Sequence, residues 1–135
     1  MSPSPKPTAA ELATLRVLWA RGPSTVREVH DAMARAKAKP VGYTTTLKTL
    51  QVMMEKGLAT RVEERGQHLY QARHAEDDTL RGLVTDLVDR AFGGSPAKLI
   101  VQALASRRAS PDELRQIRKL LAEHEGDARK RKSRD

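Results

Sequence analysis

Thr45, Lys48, Thr49 and Val52 recur at intervals of three and four, and at about 100° per residue they fall together on one side of a helix, with Lys56 beyond them. Tyr43, Leu47, Leu50 and Met54 gather on the other side. A lysine can donate to guanine or to phosphate, a threonine hydroxyl can pair with either, and the methyl groups of threonine and Val52 can rest against thymine methyls. One side is suited to packing and the other to reading base edges. Arg65, Gln67 and His68 form a second polar group around a turn, where they can reach phosphate oxygens or a minor groove.

The remaining reactive side chains make no catalytic set. His30, His68, His74 and His124 lack metal-ligand spacing. Gly93-Gly94-Ser95 precedes a helix but lacks the lysine and further glycines of a phosphate loop. The acid pairs Asp77-Asp78 and Glu63-Glu64 are neighbours in sequence and point apart. With no cysteine in the chain, thiolate metal sites, disulfides and a cysteine nucleophile fall away together. Neither an enzyme nor a bound cofactor or metal is expected.

Charge favours a polyanionic partner. The formal net charge is +8 over 135 residues, and a basic surface gains affinity for nucleic acid by releasing counterions. Residues 1–75 hold 12 Lys and Arg against 6 Asp and Glu, residues 76–125 hold 8 against 9, and residues 126–135 hold 5 against 2. The excess therefore lies in the first half and at the very end. No secretion signal and no run of eighteen apolar residues occurs, which predicts a cytoplasmic protein.

The elements that must position these groups are mostly helical. Only four aromatic residues are present, Trp19, Tyr43, Tyr70 and Phe92, so the core must come from aliphatic side chains, as suits packed helices. Thr8-Ala9-Ala10-Glu11 and Thr25-Val26-Arg27-Glu28 are capping boxes that open two helices. Arg21-Gly22-Pro23 stops the first, and the second fades over residues 36–40. A third helix starts near Gly42 or Tyr43 and ends at Lys56 before Gly57. Residues 58–63 and 68–72 then read as a β-hairpin joined across residues 64–67. Three short helices and a hairpin in about 65 residues predict a winged helix-turn-helix whose third helix enters the major groove. The fold class is thus mainly α. Its expected parts are an unstructured tail over 1–7, a winged-helix domain over 8–75, a helical dimerisation region over 76–125 and a basic unstructured tail over 126–135.

That dimerisation region comprises helices at about 77–92, 96–107 and 111–124, the last two opened by Ser95-Pro96 and by Ser110-Pro111-Asp112-Glu113, the latter a further capping box. They carry a wide apolar stripe: Leu80, Leu83, Val84, Leu87, Val88, Ala91 and Phe92, then Leu99, Ile100, Ala103 and Leu104, then Leu114, Ile117, Leu120 and Leu121. Fifty residues rarely bury such stripes unaided, so the same segment of a second copy is the economical partner. A symmetric dimer would also set two reading helices against a palindromic site.

At the level of motifs the chain resembles the BlaI/MecI family of penicillinase and methicillin-resistance repressors over nearly all of residues 8–124. The likeness rests on Thr8-Ala9-Ala10-Glu11-Leu12 running to Val17-Leu18-Trp19, on Tyr43-Thr44-Thr45-Thr46-Leu47-Lys48-Thr49-Leu50-Gln51 running to Glu55-Lys56-Gly57-Leu58, and on Gly66 followed by Leu69-Tyr70. The resemblance implies a winged-helix homodimer with intertwined C-terminal helices, repressing promoters at inverted-repeat operators in double-stranded DNA by excluding polymerase. It places Thr44, Thr45 and Lys48 at family positions that meet DNA, whereas Val52 stands where relatives have arginine. It also implies release of repression through a membrane sensor protease system, with the scissile asparagine-phenylalanine pair replaced here by Gln102-Ala103. Copper sensing by the cysteine-rich tail of other relatives is not expected without cysteine. The competing class is a winged-helix protein-interaction module whose basic tail holds polyanions without sequence preference.

Overall fold

The computed structural model describes residues 6–36 and 41–134, side chains through residue 132. The element order is α1 (Ala9–Arg21), α2 (Val26–Arg35), α3 (Tyr43–Lys56), β1 (Ala59–Glu64), β2 (Gln67–Ala72), α4 (Glu76–Ala91), α5 (Pro96–Ser106) and α6 (Pro111–Arg134). The chain divides into two compact units, Met1–Leu87 and Val88–Asp135. The boundary between these units lies within α4, whereas the sequence reading set the start of the helical region at residue 76, where α4 begins.

Both capping boxes form. The Thr8 hydroxyl accepts from the Glu11 amide at 3.2 Å while Glu11 Oε1 accepts from the Thr8 amide at 2.8 Å. Thr25 and Glu28 repeat the exchange at the head of α2, at 3.1 and 2.9 Å. Each box satisfies donors that a helix start leaves without intrahelical acceptors. Gly57 closes α3 in the left-handed region at φ 81°, its amide reaching back to the Met53 and Met54 carbonyls, a conformation that costs glycine little and other residues much.

The core of the first unit joins Leu15 and Leu18 of α1, Val26, Val29 and Met33 of α2, Leu50 and Met53 of α3, and Leu58, Ala59 and Tyr70 around the hairpin. Val29, Leu50 and Met53 lose all contact with solvent. Burying an aliphatic side chain of this size contributes about 1.5–3 kcal/mol. These three residues anchor α2 and α3 in one core. The hairpin is antiparallel, with Glu64 opposite Gln67 and Ala59 opposite Ala72. Its turn is two residues, Arg65 and Gly66, both at positive φ (52° and 76°), the combination that matches the right-handed twist of the strands. The loop is therefore tighter than the four residues expected. A further bridge ties Ser24 to Tyr70 by paired backbone hydrogen bonds of 2.9 and 2.7 Å. Three helices and a hairpin, tied by this isolated bridge, make a winged helix-turn-helix.

In the second unit, Ser95 caps α5 by accepting from the Lys98 amide, and Ser110 and Glu113 form a third capping box on α6. Helix α6 continues to Arg134, so the helix expected to stop at residue 124 is corrected to ten residues longer, and the stretch 126–134 is helical rather than unstructured. The cause is local. Ala128 and the Arg and Lys residues are strong helix formers, the pairs Glu125/Arg129 and Asp127/Arg131 sit at the favourable i,i+4 spacing, and cations near a C-terminus complement the helix dipole. Together these outweigh Gly126, which costs about 1 kcal/mol. Residues 1–5 of the expected N-terminal tail and residues 37–40 lie outside the described residues, whereas Lys6 forms a 2.8 Å ion pair with Asp86.

Candidate nucleic-acid interface

Helix α3 is held from three directions, and what remains uncovered is the face singled out above. Thr46, Leu50 and Met53 are buried, with Leu47 and Met54 packed against the core. At its C-terminal end Lys56 donates to Glu11 Oε1 at 2.6 Å. This pair corrects the expectation that Lys56 belongs to the free side: it is a strut between α1 and α3. Burial pushes the Glu11 carboxyl up, but the hydrogen bond and charge of Lys56 and the donors of Thr8 outweigh it, leaving the carboxyl below its ordinary range. The position of α3 is thereby tied to the capping box of α1.

Thr44, Thr45 and Lys48 are exposed, and Val52 keeps 36% of its surface in solvent. Thr49 is half-buried, its hydroxyl donating to the Thr45 carbonyl at 2.9 Å. That leaves its methyl group and its oxygen lone pairs for any partner. Lys48 has no ion-pair partner among the described residues, so its charge is uncommitted. Arg65 occupies the hairpin turn with Gln67 and His68 beside it, all exposed. The α3 face and the hairpin tip belong to one unit and are braced by one core.

Tyr43 departs from the packing role read from periodicity: it is 41% exposed. Its ring receives the Arg27 guanidinium at 4.9 Å and the edge of His30 at 6.1 Å. His30 Nε2 in turn lies 3.0 Å from the Val41 carbonyl, pinning the chain just before α3. Between α2, α3 and the hairpin opens a cleft of about 470 Å³ that includes Arg27, Tyr43, Gln51 and Arg61. Sequence periodicity passes over Arg27, Gln51 and Arg61 because they sit on three different elements. Only the general excess of basic residues in the first half signals the two arginines, and nothing in that excess signals Gln51.

The apolar stripe of the C-terminal half is largely uncovered within the chain. Leu80, Val84, Leu87, Ile100, Leu104, Leu120 and Leu121 are exposed, Leu83, Phe92, Leu99, Leu114 and Ile117 are half-buried, and Val88 alone of the stripe is buried among the described residues. Ile100, Ala103, Leu104, Ile117, Leu120, Leu121 and His124 line an apolar groove of about 320 Å³ between α5 and α6. Gln102 and Ala103 lie exposed in the second half of α5. No helix among the described residues is long and apolar enough to cross a membrane, and these residues contain no cluster of three or more His, Asp or Glu suited to a metal ion.

Known proteins extend the picture. A family model described as penicillinase repressor matches residues 7–123. The transcriptional regulator BlaI of Mycobacterium tuberculosis (strain H37Rv) is 32% identical over 117 residues, covering 85% of this chain and 82% of that protein. Similar solved structures include the monomeric form of Bacillus licheniformis BlaI in complex with the blaP half-operator, 22% identical at a TM-score of 0.49, over 58% of this chain and 93% of that one. A probable transcriptional regulator from Pseudomonas aeruginosa aligns over 87% of this chain and 77% of its own, at 20% identity and a TM-score of 0.47. With the family match running from the cap of α1 into α6, the chain belongs to the penicillinase repressor family.

Proposed function

We propose that this protein is a cytoplasmic transcriptional repressor that binds an inverted-repeat operator in double-stranded DNA as a homodimer. The observation that carries this reading is the uncovered face of α3, with Thr44, Thr45, Lys48 and Val52 exposed on a helix whose opposite side is locked into the core. An α-helix fits the major groove, and these side chains supply one cation, two hydroxyls and apolar methyl surface toward base edges. Arg65, Gln67 and His68 at the wing serve phosphate or minor-groove contacts. Val52 brings no charge, so the operator is read at that position through apolar contact.

Homodimerisation is supported by the uncovered stripe on α4, α5 and α6, since patches of this kind mark protein interfaces. The occupant is the same segment of a second copy, which makes the interface self-complementary and sets two α3 helices about one helical turn of DNA or a multiple apart. Relief of repression by a membrane-sensor protease system, acting at Gln102-Ala103, belongs to the same proposal. The pair is exposed, but it sits within α5, so cutting there requires α5 to unwind locally.

The test is a binding titration on the inverted repeat of the gene's own promoter against a scrambled duplex. The wild type binds the repeat more tightly, with affinity falling steeply as salt rises. Thr45→Ala and Lys48→Ala each weaken operator binding by about 1–3 kcal/mol if they touch bases. Equal affinity for both duplexes, unmoved by either substitution, takes α3 out of the groove and leaves a protein-interaction module.

A further inference from the structure

A recognition helix in a major groove and a wing in the neighbouring minor groove must straddle the sugar-phosphate strand that separates the two. In this chain the space between α3 and the hairpin is the cleft of about 470 Å³, and its polar lining includes Arg27 from the start of α2, Tyr43 and Gln51 from α3, and Arg61, Gln67 and His68 from the hairpin, beside the hydroxyl-bearing Thr25 and Tyr70. No carboxylate lines it. Glu63 stands opposite His68 in the ladder but outside the lining.

The two guanidiniums are available. Lys6, Arg21, Lys56, Arg81 and Arg115 are each committed to a carboxylate, whereas Arg27 and Arg61 have no acidic partner among the described residues. Arg27 rests on the Tyr43 ring, a cation–π contact that orients it without using its N–H donors. The walls are fixed relative to one another, because the paired hydrogen bonds between Ser24 and Tyr70 join the entry of α2 to β2. The capping box occupies the Glu28 amide, while the Val26 and Arg27 amides at the positive end of α2 have no acceptor inside the helix.

We infer that this cleft is a phosphodiester cradle, in which Arg27 and Arg61, assisted by Gln51, Gln67 and His68, hold a backbone phosphate of the bound duplex. The inference rests on the repressor reading and adds to it a site that sets register without reading sequence. Arginine suits the task because its planar fork gives paired donors to phosphate oxygens. Free inorganic phosphate shares this chemistry, and the experiment separates the two sources.

The full-length protein and an Arg27→Ala/Arg61→Ala variant are titrated by fluorescence anisotropy against the promoter repeat and a scrambled duplex over a range of salt. The variant loses about tenfold in affinity per arginine on both duplexes alike, and its salt slope is shallower by about one unit per arginine. Preference for the repeat is unchanged. Replacing one backbone phosphate at the groove boundary by an uncharged methylphosphonate weakens the wild type and leaves the double variant indifferent. Unaltered thermal melting confirms that these solvent-facing substitutions leave the fold intact. If affinity and slope stay unchanged while Thr45→Ala still weakens operator binding, the cradle is refuted and the repressor reading survives. If the wild type ignores sequence yet the double variant loses affinity on both duplexes, the cradle stands and operator specificity falls. Saturation of the cleft by inorganic phosphate in the absence of DNA, with duplex affinity unaffected, reassigns the site to a free anion and overturns the inference.

Discussion

The two units spend their apolar residues in opposite ways. In the first, α1, α2, α3 and the hairpin close around Val29, Leu50, Met53 and Tyr70, each almost wholly withdrawn from water. In the second, α5 and α6 carry as pronounced a stripe, yet Ile100, Leu104, Leu120 and Leu121 remain in solvent. The difference lies in geometry rather than hydrophobicity. Three helices crossing one another and a hairpin folding back enclose a volume, whereas two helices in tandem can only offer a surface. A self-contained core suits a lobe that must present α3 rigidly; an uncovered surface suits one whose structure is completed by a second chain.

Matched substitutions sharpen this contrast. Leu50→Ala opens a void in a closed core and lowers the stability of the first unit by about 2–5 kcal/mol. Thermal melting shows that loss at every protein concentration. Leu104→Asp removes nothing from a closed core, but at a subunit interface it buries a carboxylate without a partner, a cost of about 3–5 kcal/mol. If the proposed dimer forms through this surface, sedimentation finds the wild type dimeric and the variant monomeric, while the melting of the first unit is unchanged. A Leu104→Asp protein that stays dimeric moves the interface off the α5–α6 groove.

A smaller effect tests how α3 is braced. Glu11 joins the cap of α1 to Lys56 at the end of α3. Because folding lowers the Glu11 pKa from its ordinary value of 4.5, its contribution is complete above that value and fades as pH falls through the lower folded one. Glu28, held down first by the Thr25 amide and then by its hydroxyl and Arg21, acts with the same sign on α2. Glu11→Gln keeps a hydrogen-bonding side chain but removes the charge. It should cost about 1–2 kcal/mol near neutral pH and flatten the acid limb of the stability profile. Chemical denaturation of wild type and variant across that limb measures the difference, and parallel profiles would deny Glu11 its role as a strut.

How much of this was legible in the sequence depended on the range of the interaction. Thr8/Glu11, Thr25/Glu28 and Ser110/Glu113 are each complete within four residues, and all three boxes form as read. The face of α3 was legible from helical periodicity, since Leu50 and Thr45 differ only in which side of one helix they occupy. What escaped depends on distant partners. Lys56 meets Glu11 across 45 positions and the Trp19 indole donates to the His74 carbonyl across 55, and neither pairing leaves a local pattern. Tyr43 read as core because periodicity assigns a side to a residue but not a neighbour to cover it. The arginines of the cleft come from α2 and β1, which only the folded chain brings together.

The smallest expected effect concerns the end of α6. Residues 126–134 are helical, yet the described side chains there are exposed, so the helix is sustained by propensity and end charges rather than by packing. Arg129, Lys130, Arg131 and Lys132 form a cationic end there. Removing residues 126–135 should leave both dimerisation and operator preference in place, since neither the apolar stripe nor the α3 face is touched. It should reduce the salt slope of binding if this end neutralises DNA phosphates, by at most about 0.9 per charge removed. The comparison is again between the units: the α3 face of the first is the proposed reader of sequence, and the basic end of the second is expected to add affinity for any duplex. Loss of operator discrimination on truncation would break that division, because it would give the basic end a part in reading bases.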